Sequence, residues 1–154
     1  MLSCRQARLE DAETLFAMVR ELAAHEDSLA ALHTDLQRFR QDGFGPQARF
    51  AAVLAEVDGQ PAGYISYTHA YAIWRGAASL NVDDIYVRAA FRRQGVGEAL
   101  LRRLRDVAAR DGACRLRWEV NVHNAGAIRF YERLGAVVTP KGLCRWEIAD
   151  LEPG

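Results

Sequence analysis

"FRRQGVGEALLRRL", residues Phe91 to Leu104, decides how the rest of the chain is read. Four arginines surround two closely spaced glycines, and the run then turns amphipathic. Glycine permits backbone conformations barred to other residues and lets another group come close to the main chain. A helix start presents unpaired N–H groups and a partial positive charge. Together these features suit an anion. Two common phosphate motifs fail the test of spacing. A P-loop ends in Gly-Lys-Ser/Thr, whereas Gly97 is followed by Glu98 and Ala99. The dinucleotide pattern needs a third glycine and the start of a βαβ unit, and neither is present. What remains is Arg-x-x-Gly-x-Gly, Arg92 to Gly97, set between a strand and a helix. Successive amides aimed at one point in such a turn suit a pyrophosphate. A glycine turn that merely tightens the start of the helix accounts for the same residues.

Outward from this loop the apolar period switches between helical and strand values. Leu2 to Arg8 reads as a first strand. Asp11 precedes Leu15, Phe16, Val19 and Leu22, an apolar helical stripe behind an acidic cap. A second helix is expected from about His33 to Gln41, ended by "DGFGP" (Asp42 to Pro46). Arg49 to Val57 and Ala62 to Tyr71 read as a hairpin about the turn Asp58 to Pro61. Ala78 to Val87 is a strand leading into the glycine loop. The helix beyond it turns Val96, Leu100, Leu104, Val107 and Ala108 inward, and Gly112 stops it. Cys114 to Val122 reads as a strand, Ala125 to Leu134 as a helix, and Ala136 to Thr139 with Leu143 to Ile148 as a closing hairpin. The 154 residues are enough for one domain that buries roughly 68 to 70 % of its unfolded surface.

Composition narrows the partners. Twenty acidic residues balance twenty basic ones, so overall charge recommends neither nucleic acid nor an anionic membrane. Only Lys141 among the basic residues is a lysine. Cys4, Cys114 and Cys144 lie far apart with no CxxC pair, which favours reduced, inert thiols over disulfides or a zinc site, and no metal is expected. His25, His33, His69 and His123 are scattered and fit packing or surface roles. No long apolar stretch opens the chain, so neither a signal peptide nor a membrane span is visible, and the expectation is a soluble, cytoplasmic protein.

The order strand, two helices, three strands, glycine loop and helix, strand, helix, two strands resembles the GNAT acyl-CoA N-acyltransferases. The resemblance implies an α/β fold with a mixed central sheet flanked by helices, in the order β-α-α-β-β-β-α-β-α-β-β, as one domain over residues 1–154. Arg92 to Gly97 is similar to that superfamily's Arg/Gln-x-x-Gly-x-Gly/Ala signature, whose amides hold the coenzyme A pyrophosphate. "NAGAIRFYERLGA" (Asn124 to Ala136) is similar to its second conserved block. Within the superfamily, "ELAAHE" (Glu21 to Glu26), "DGFG" (Asp42 to Gly45), "YAIWRG" (Tyr71 to Gly76) and "VDDIYV" (Val82 to Val87) resemble the diamine and thialysine acetyltransferase branch. The co-substrate so implied is acetyl-CoA. It would lie against Arg92, Arg93, Gln94, Gly95, Val96, Gly97 and Glu98, against the main chain of Ile85, Tyr86 and Val87 if that strand splays from its neighbour, and against Asn124 and Tyr131.

The residues carry a chemistry of their own. A primary amine with a pKa of about 10.4 is almost all ammonium at pH 7, and freeing its lone pair costs roughly 4.6 kcal/mol. Something must take that proton. Asp83 and Asp84 stand in an otherwise apolar strand, where adjacent carboxylates are costly unless they serve or pair with arginines. Their side chains are expected on opposite faces of the sheet unless a bulge re-aims one. The resemblance makes Asp83 the amine binder and base, directly or through water, with Asp84 in support. Tyr131 matches the position of the superfamily's general acid and would protonate the departing thiolate; a tyrosine beside Phe130 at a helix end also reads as core. Asn124 is either a helix cap or a coenzyme contact, and the two are compatible.

Departures from the polyamine enzymes share an electrical sense. Ala72 replaces an acid in the fourth block, and Lys141-Gly142-Leu143 stands where those enzymes carry Glu-Gly-Trp. A smaller amine or amino acid is favoured, with Glu26 either attracting its far end or simply solvated. No cysteine matches a nucleophile motif, so direct attack of the amine on the thioester is expected rather than an acetyl-enzyme. Acetylation of a protein α-amine or an aminoglycoside, or a non-catalytic acyl-CoA sensor, are the alternatives. The family usually forms homodimers, and the apolar tail strand is the expected contact.

Overall fold

Period-two alternation over residues 51–87 folds three successive strands against one another, and the amino-terminal strand adds at their edge. In chain order the elements are β1 (Leu2–Gln6), α1 (Ala12–His25), α2 (Leu36–Phe44), β2 (Ala51–Val57), β3 (Gln60–Ala72), β4 (Ala77–Val87), α3 (Val96–Arg110), β5 (Leu116–Arg117) and α4 (Ala125–Arg133). This is a computed structural model, and it describes residues 1–151. The sheet order is β1-β2-β3-β4-β5, antiparallel from β1 to β4, with β5 parallel to β4. The mixed sheet flanked by helices is the α/β architecture expected. Asp58 and Gly59, both with φ in the left-handed region, make the two-residue turn that joins β2 to β3.

The chain divides into two compact units, Met1–Arg117 and Trp118–Leu151. In the first, Leu15 and Met18 of α1 bury against Ala52, Leu54 and Tyr64, with Phe39, Phe44 and Tyr86 closing the rim. Val53 and Ile65 pair across β2 and β3 and point, by alternation, to the opposite face. There α3 packs across β1 to β4 and buries Val96, Leu100, Leu101, Leu104 and Ala108. The sheet is therefore covered on both sides, as the stripes in α1 and α3 require.

Four local expectations are corrected. Asp11 does precede α1, yet its carboxylate does not cap it. It accepts from Arg5 Nη1 at 2.7 Å and Nη2 at 2.9 Å and from the Arg8 amide at 2.8 Å. The bidentate charged pair outweighs one cap bond. The second helix starts later than His33, because Asp35 accepts the Arg38 amide at 2.8 Å. It also runs through Asp42 and Gly43, where Phe44, Phe39 and Phe50 cluster with ring centroids 5.0–6.5 Å apart and offset the glycine's cost. The strand expected over Cys114 to Val122 forms a ladder only at Leu116 and Arg117, opposite Leu80 and Asn81. Just beyond Asn81, β4 bulges, and a bulged strand bends and twists away. The closing hairpin of residues 136–139 and 143–148 forms no ladder among the described residues. Val137, Trp146 and Ile148 are 89, 91 and 92 % exposed, so their apolar side chains have no packing partner among the described residues. No helix of the described residues is long and apolar enough to cross a membrane.

Gly63 shows how tightly β3 and β4 meet. A Cβ built there falls inside contact with the Tyr86 carbonyl oxygen, a backbone atom that cannot turn aside. Gly63→Ala is therefore expected to lower stability by about 1–3 kcal/mol. A urea midpoint equal to that of the parent chain would contradict this packing.

Candidate active site

The glycine loop is a strand-to-helix turn, as its sequence requires. After β4 a short 3-10 turn spans Ala89–Phe91, Arg92 is extended, and Arg93 (φ 62°) and Gly95 (φ 80°) adopt left-handed backbone. The first amide to close onto the loop is that of Ala99, bonded to the Gly95 carbonyl at 3.0 Å. The amides of Val96, Gly97 and Glu98 thus precede the first intrahelical bond, in the position where helices receive anions. Two side chains fold back and stiffen the turn: Arg92 Nε donates to the Val87 carbonyl at 3.0 Å, and Gln94 Nε2 to that of Ala90 at 3.2 Å. Glu98 accepts from Arg102 Nε at 2.8 Å one turn along, which partly neutralises a carboxylate beside the amides. A Cβ at Gly95 would meet no atom within 4 Å, so the outer side of the cradle is open. Loop and space together fit a diphosphate.

β4 supplies the second feature. Ser66 pairs with Asp84 and Tyr67 with Val82, so Asp83 is the extra residue of a β-bulge. This is the re-aiming that simple alternation leaves open. Val82 joins Tyr67 on the α3 side, Asp84 faces Tyr64 on the α1 side, and Asp83 has no cross-strand partner. Asp84 accepts from the Tyr64 hydroxyl at 3.4 Å, and its own amide donates to Ser66 Oγ at 3.2 Å. Burial raises its carboxyl above the usual range, and the charges of Asp83 and Glu26 push it the same way, against the Tyr64 hydrogen bond. Asp83 is more exposed, yet loss of solvation also raises it. Asp83 and Glu26, the other two carboxylates expected at the site, thus both act electrostatically on Asp84. None of the ion pairs found among the described residues involves them. Such a cluster draws a cation.

Ile85, Tyr86 and Val87 stay in register with Ile65, Tyr64 and Gly63 on one edge. On the other edge the β4–β5 ladder covers only Leu80 and Asn81. Residues 82–87 therefore have no ladder partner there among the described residues, and their main-chain groups remain available for an extended ligand arm.

Sequence reasoning missed a network at the end of α1. Glu21 accepts from the Tyr86 hydroxyl at 3.2 Å and from Arg88 Nε at 3.0 Å and Nη2 at 2.8 Å. Arg88 Nη1 donates to the Pro61 carbonyl at 3.2 Å. The Arg88 guanidinium holds the Glu21 carboxyl below the ordinary range. This clamp ties α1 to the last residues of β4, next to the glycine loop. Its signal in the sequence was slight: Glu21 lies one residue before Leu22 of the apolar stripe, and Arg88 merely looks like one more loop arginine. Tyr64 and Ser66 were missed for a similar reason, since hydroxyl groups in a strand gain meaning only from the register opposite them.

Tyr131 and Asn124 belong to the second unit. Asn124 is the cap of α4, its Oδ1 accepting the Ala127 amide at 3.1 Å. Tyr131 is half-buried, edge-on to Trp118 at 5.2 Å and tilted against Phe130 at 5.5 Å. Burial raises its phenol above the ordinary value, opposed by a hydrogen bond with Trp118. At neutral pH it is therefore a protonated donor. Among the described residues no group of three His, Cys, Asp or Glu is placed to hold a metal ion.

The model of the Acetyltransferase (GNAT) family matches residues 16–136. Thialysine N-epsilon-acetyltransferase of Bos taurus is 31 % identical over 140 residues, covering 86 % of this chain and 82 % of its own. The enzyme of that name from Caenorhabditis elegans is 32 % identical over 129 residues, covering 83 % of this chain and 78 % of its own. A crystal structure of an aminoglycoside acetyltransferase from an uncultured soil sample superposes with a TM-score of 0.80 over 97 % of both chains at 13 % identity, a likeness of fold alone.

The cradle is testable. Gly95→Val imposes a β-branched side chain on left-handed backbone and fills the open space above the amides. Calorimetric titration with coenzyme A is expected to show affinity reduced at least about tenfold, the equivalent of 1.4 kcal/mol. Undiminished affinity would remove the loop from the site.

Proposed function

Because the chain belongs to the GNAT acetyltransferase family and is an N-acetyltransferase, we propose that it moves acetyl from acetyl-CoA to a primary amine of a small cationic molecule. The acceptor is a diamine, a thialysine-like compound or an amino acid. Names of relatives support the class, since GNAT acetyltransferases use acetyl-CoA and two of the similar enzymes bear the name of thialysine. The observation that carries the reading is Asp84, acted on by the charges of Asp83 and Glu26, on the strand that runs into the glycine loop and the open start of α3.

In this reading residues 1–154 work as one domain. The amides of Arg93, Gln94, Gly95, Val96, Gly97 and Glu98 hold the pyrophosphate, with Arg92 fixing the turn. The open edge of Ile85, Tyr86 and Val87 lends main-chain hydrogen bonds to the pantetheine arm, and Asn124 adds a contact while capping α4. Asp84 and Glu26 attract the acceptor as an ammonium. Asp83, the freer carboxylate of the bulge, takes its proton directly or through water. The amine nitrogen then bonds to the thioester carbonyl carbon, the carbon–sulfur bond breaks as the nitrogen releases its second proton to water, and the Tyr131 hydroxyl protonates the departing thiolate and regains a proton from solvent. Attack is direct, in a ternary complex. A cytoplasmic setting belongs to the same proposal.

A thiol-release assay with acetyl-CoA and a panel of diamines, thialysine and amino acids tests this reading. Turnover with cationic acceptors is expected, and Tyr131→Phe should lower kcat at least about tenfold while coenzyme affinity changes little. Coenzyme binding without turnover on any amine would favour an acyl-CoA sensor instead. Unchanged kcat in the variant would excuse Tyr131.

We also propose a homodimer, supported by the exposed apolar side chains of Val137, Leu143, Trp146, Ile148 and Leu151 on a segment without a partner strand. Light scattering is expected to give twice the chain mass at micromolar concentration, and Trp146→Glu with Ile148→Glu to give the single mass. A monomeric parent chain would overturn the dimer.

A further inference from the structure

Asp84 stands in an unfavourable place. It is half-buried, its neighbours Asp83 and Glu26 carry the same sign, and no guanidinium pairs with it among the described residues. A carboxylate so placed gains a proton unless something favours the charged form. The bulge removes one support, because a strand residue at an irregular register loses its regular ladder bond. Two hydroxyl groups of β3 replace what is lost. Ser66 Oγ accepts the Asp84 amide at 3.2 Å, and the Tyr64 hydroxyl donates to Oδ2 at 3.4 Å.

We infer that Tyr64 is the positioning residue of the acceptor site, its hydroxyl fixing the Asp84 carboxylate toward the acceptor while Ser66 pins the bulge. This deepens the proposed acetyl transfer and rests on it for the identity of the ligand. The Tyr64 ring is 1 % exposed and wedged among Leu15, Met18 and Leu54, with its centroid 6.3 Å from that of Tyr86. It cannot swing away, so its hydroxyl is a fixed donor rather than a passing one. Burial and the nearby Asp84 charge raise the phenol far above its ordinary value, so it keeps its proton across the working range. The groups facing Asp84 are then Tyr64 from β3, Asp83 on β4 and Glu26 at the end of α1. Of these only the phenol donates. Every remaining lone pair is left for the cation that the cluster lacks. Tyr64 thus acts on the acceptor through Asp84, with the coenzyme loop beyond its contacts.

The sign of the effect follows. Tyr64→Phe removes the one interaction that lowers the Asp84 carboxyl, so that carboxyl must titrate higher still. Carboxyl-carbon NMR on the full chain is expected to move the Asp84 midpoint up by about one pH unit, the size of a weakened hydrogen bond to a charged group. In turnover at saturating acetyl-CoA, KM for a diamine is expected to rise about tenfold near neutral pH. The acid limb of kcat/KM should shift upward by the same unit, while coenzyme A affinity stays within about twofold. Ser66→Ala should leave the Asp84 midpoint nearer the parent value and reduce urea stability instead. A purely structural tyrosine would lower the urea midpoint without moving either titration, and that result overturns the inference. If no amine is turned over, the NMR midpoint still decides the role of Tyr64, so failure of the acetyl-transfer reading is distinguishable from failure of this one.

Discussion

A single extra residue in β4 is the constraint on which the site depends. Without the bulge, residues 82 and 84 would share one face, and the pair Asp83–Asp84 would divide between the two sides of the sheet. With it, Val82 stays buried on the α3 side while Asp84 turns to Tyr64 and Glu26. The same irregularity lies immediately beyond the last β4–β5 contact at Asn81. One local departure therefore concentrates negative charge and frees the edge of β4 that follows.

Charge is handled in two ways in the first unit. Where it serves architecture it is neutralised at once: Arg5 grips Asp11 at 2.7 Å, and Arg88 grips Glu21 at 2.8 Å. Asp11 and Glu21 are both held below the ordinary carboxylate range by these partners, and both pairs join a helix to the sheet. At Asp83 and Asp84 the opposite holds, since their carboxyl groups lie above that range and lack a built-in cation. Asp84, unpaired and half-buried, is the costlier of the two to keep charged. A cationic ligand would relieve that cost, and the same strand hands the chain on to a helix start suited to an anion. The carboxylates and the glycine loop, of opposite electrical sense, thus lie a few residues apart in sequence.

Much of this was legible in the sequence because local physics decided it. The glycine loop announced itself by Gly95 and Gly97 ahead of the amphipathic run, and the backbone at Gly95 is left-handed as that turn requires. Asn124 read as a cap and is one. The acidic pair was visible as two carboxylates in an apolar strand. Its true geometry was hidden, because a bulge is a property of two strands, and neither β3 nor β4 alone records that Ser66 and Tyr67 straddle Asp83. Long-range partners were hidden likewise: Arg5 draws the Asp11 carboxylate from its cap, and Arg88 reaches Glu21 from 67 residues away. The tail shows the converse. Residues 136–139 and 143–148 were read as a closing hairpin, but pairing needs two edges that meet, and no ladder forms there among the described residues.

The central claim is that an uncompensated carboxylate cluster chooses the acceptor by its charge. The most direct test compares kcat/KM, at low salt and saturating acetyl-CoA, for primary amines of equal length whose far end is cationic, neutral or anionic. The account predicts the order cationic, neutral, anionic, with steps of about tenfold that shrink as salt is added. Equal values across the series, or preference for the anionic member, would contradict it.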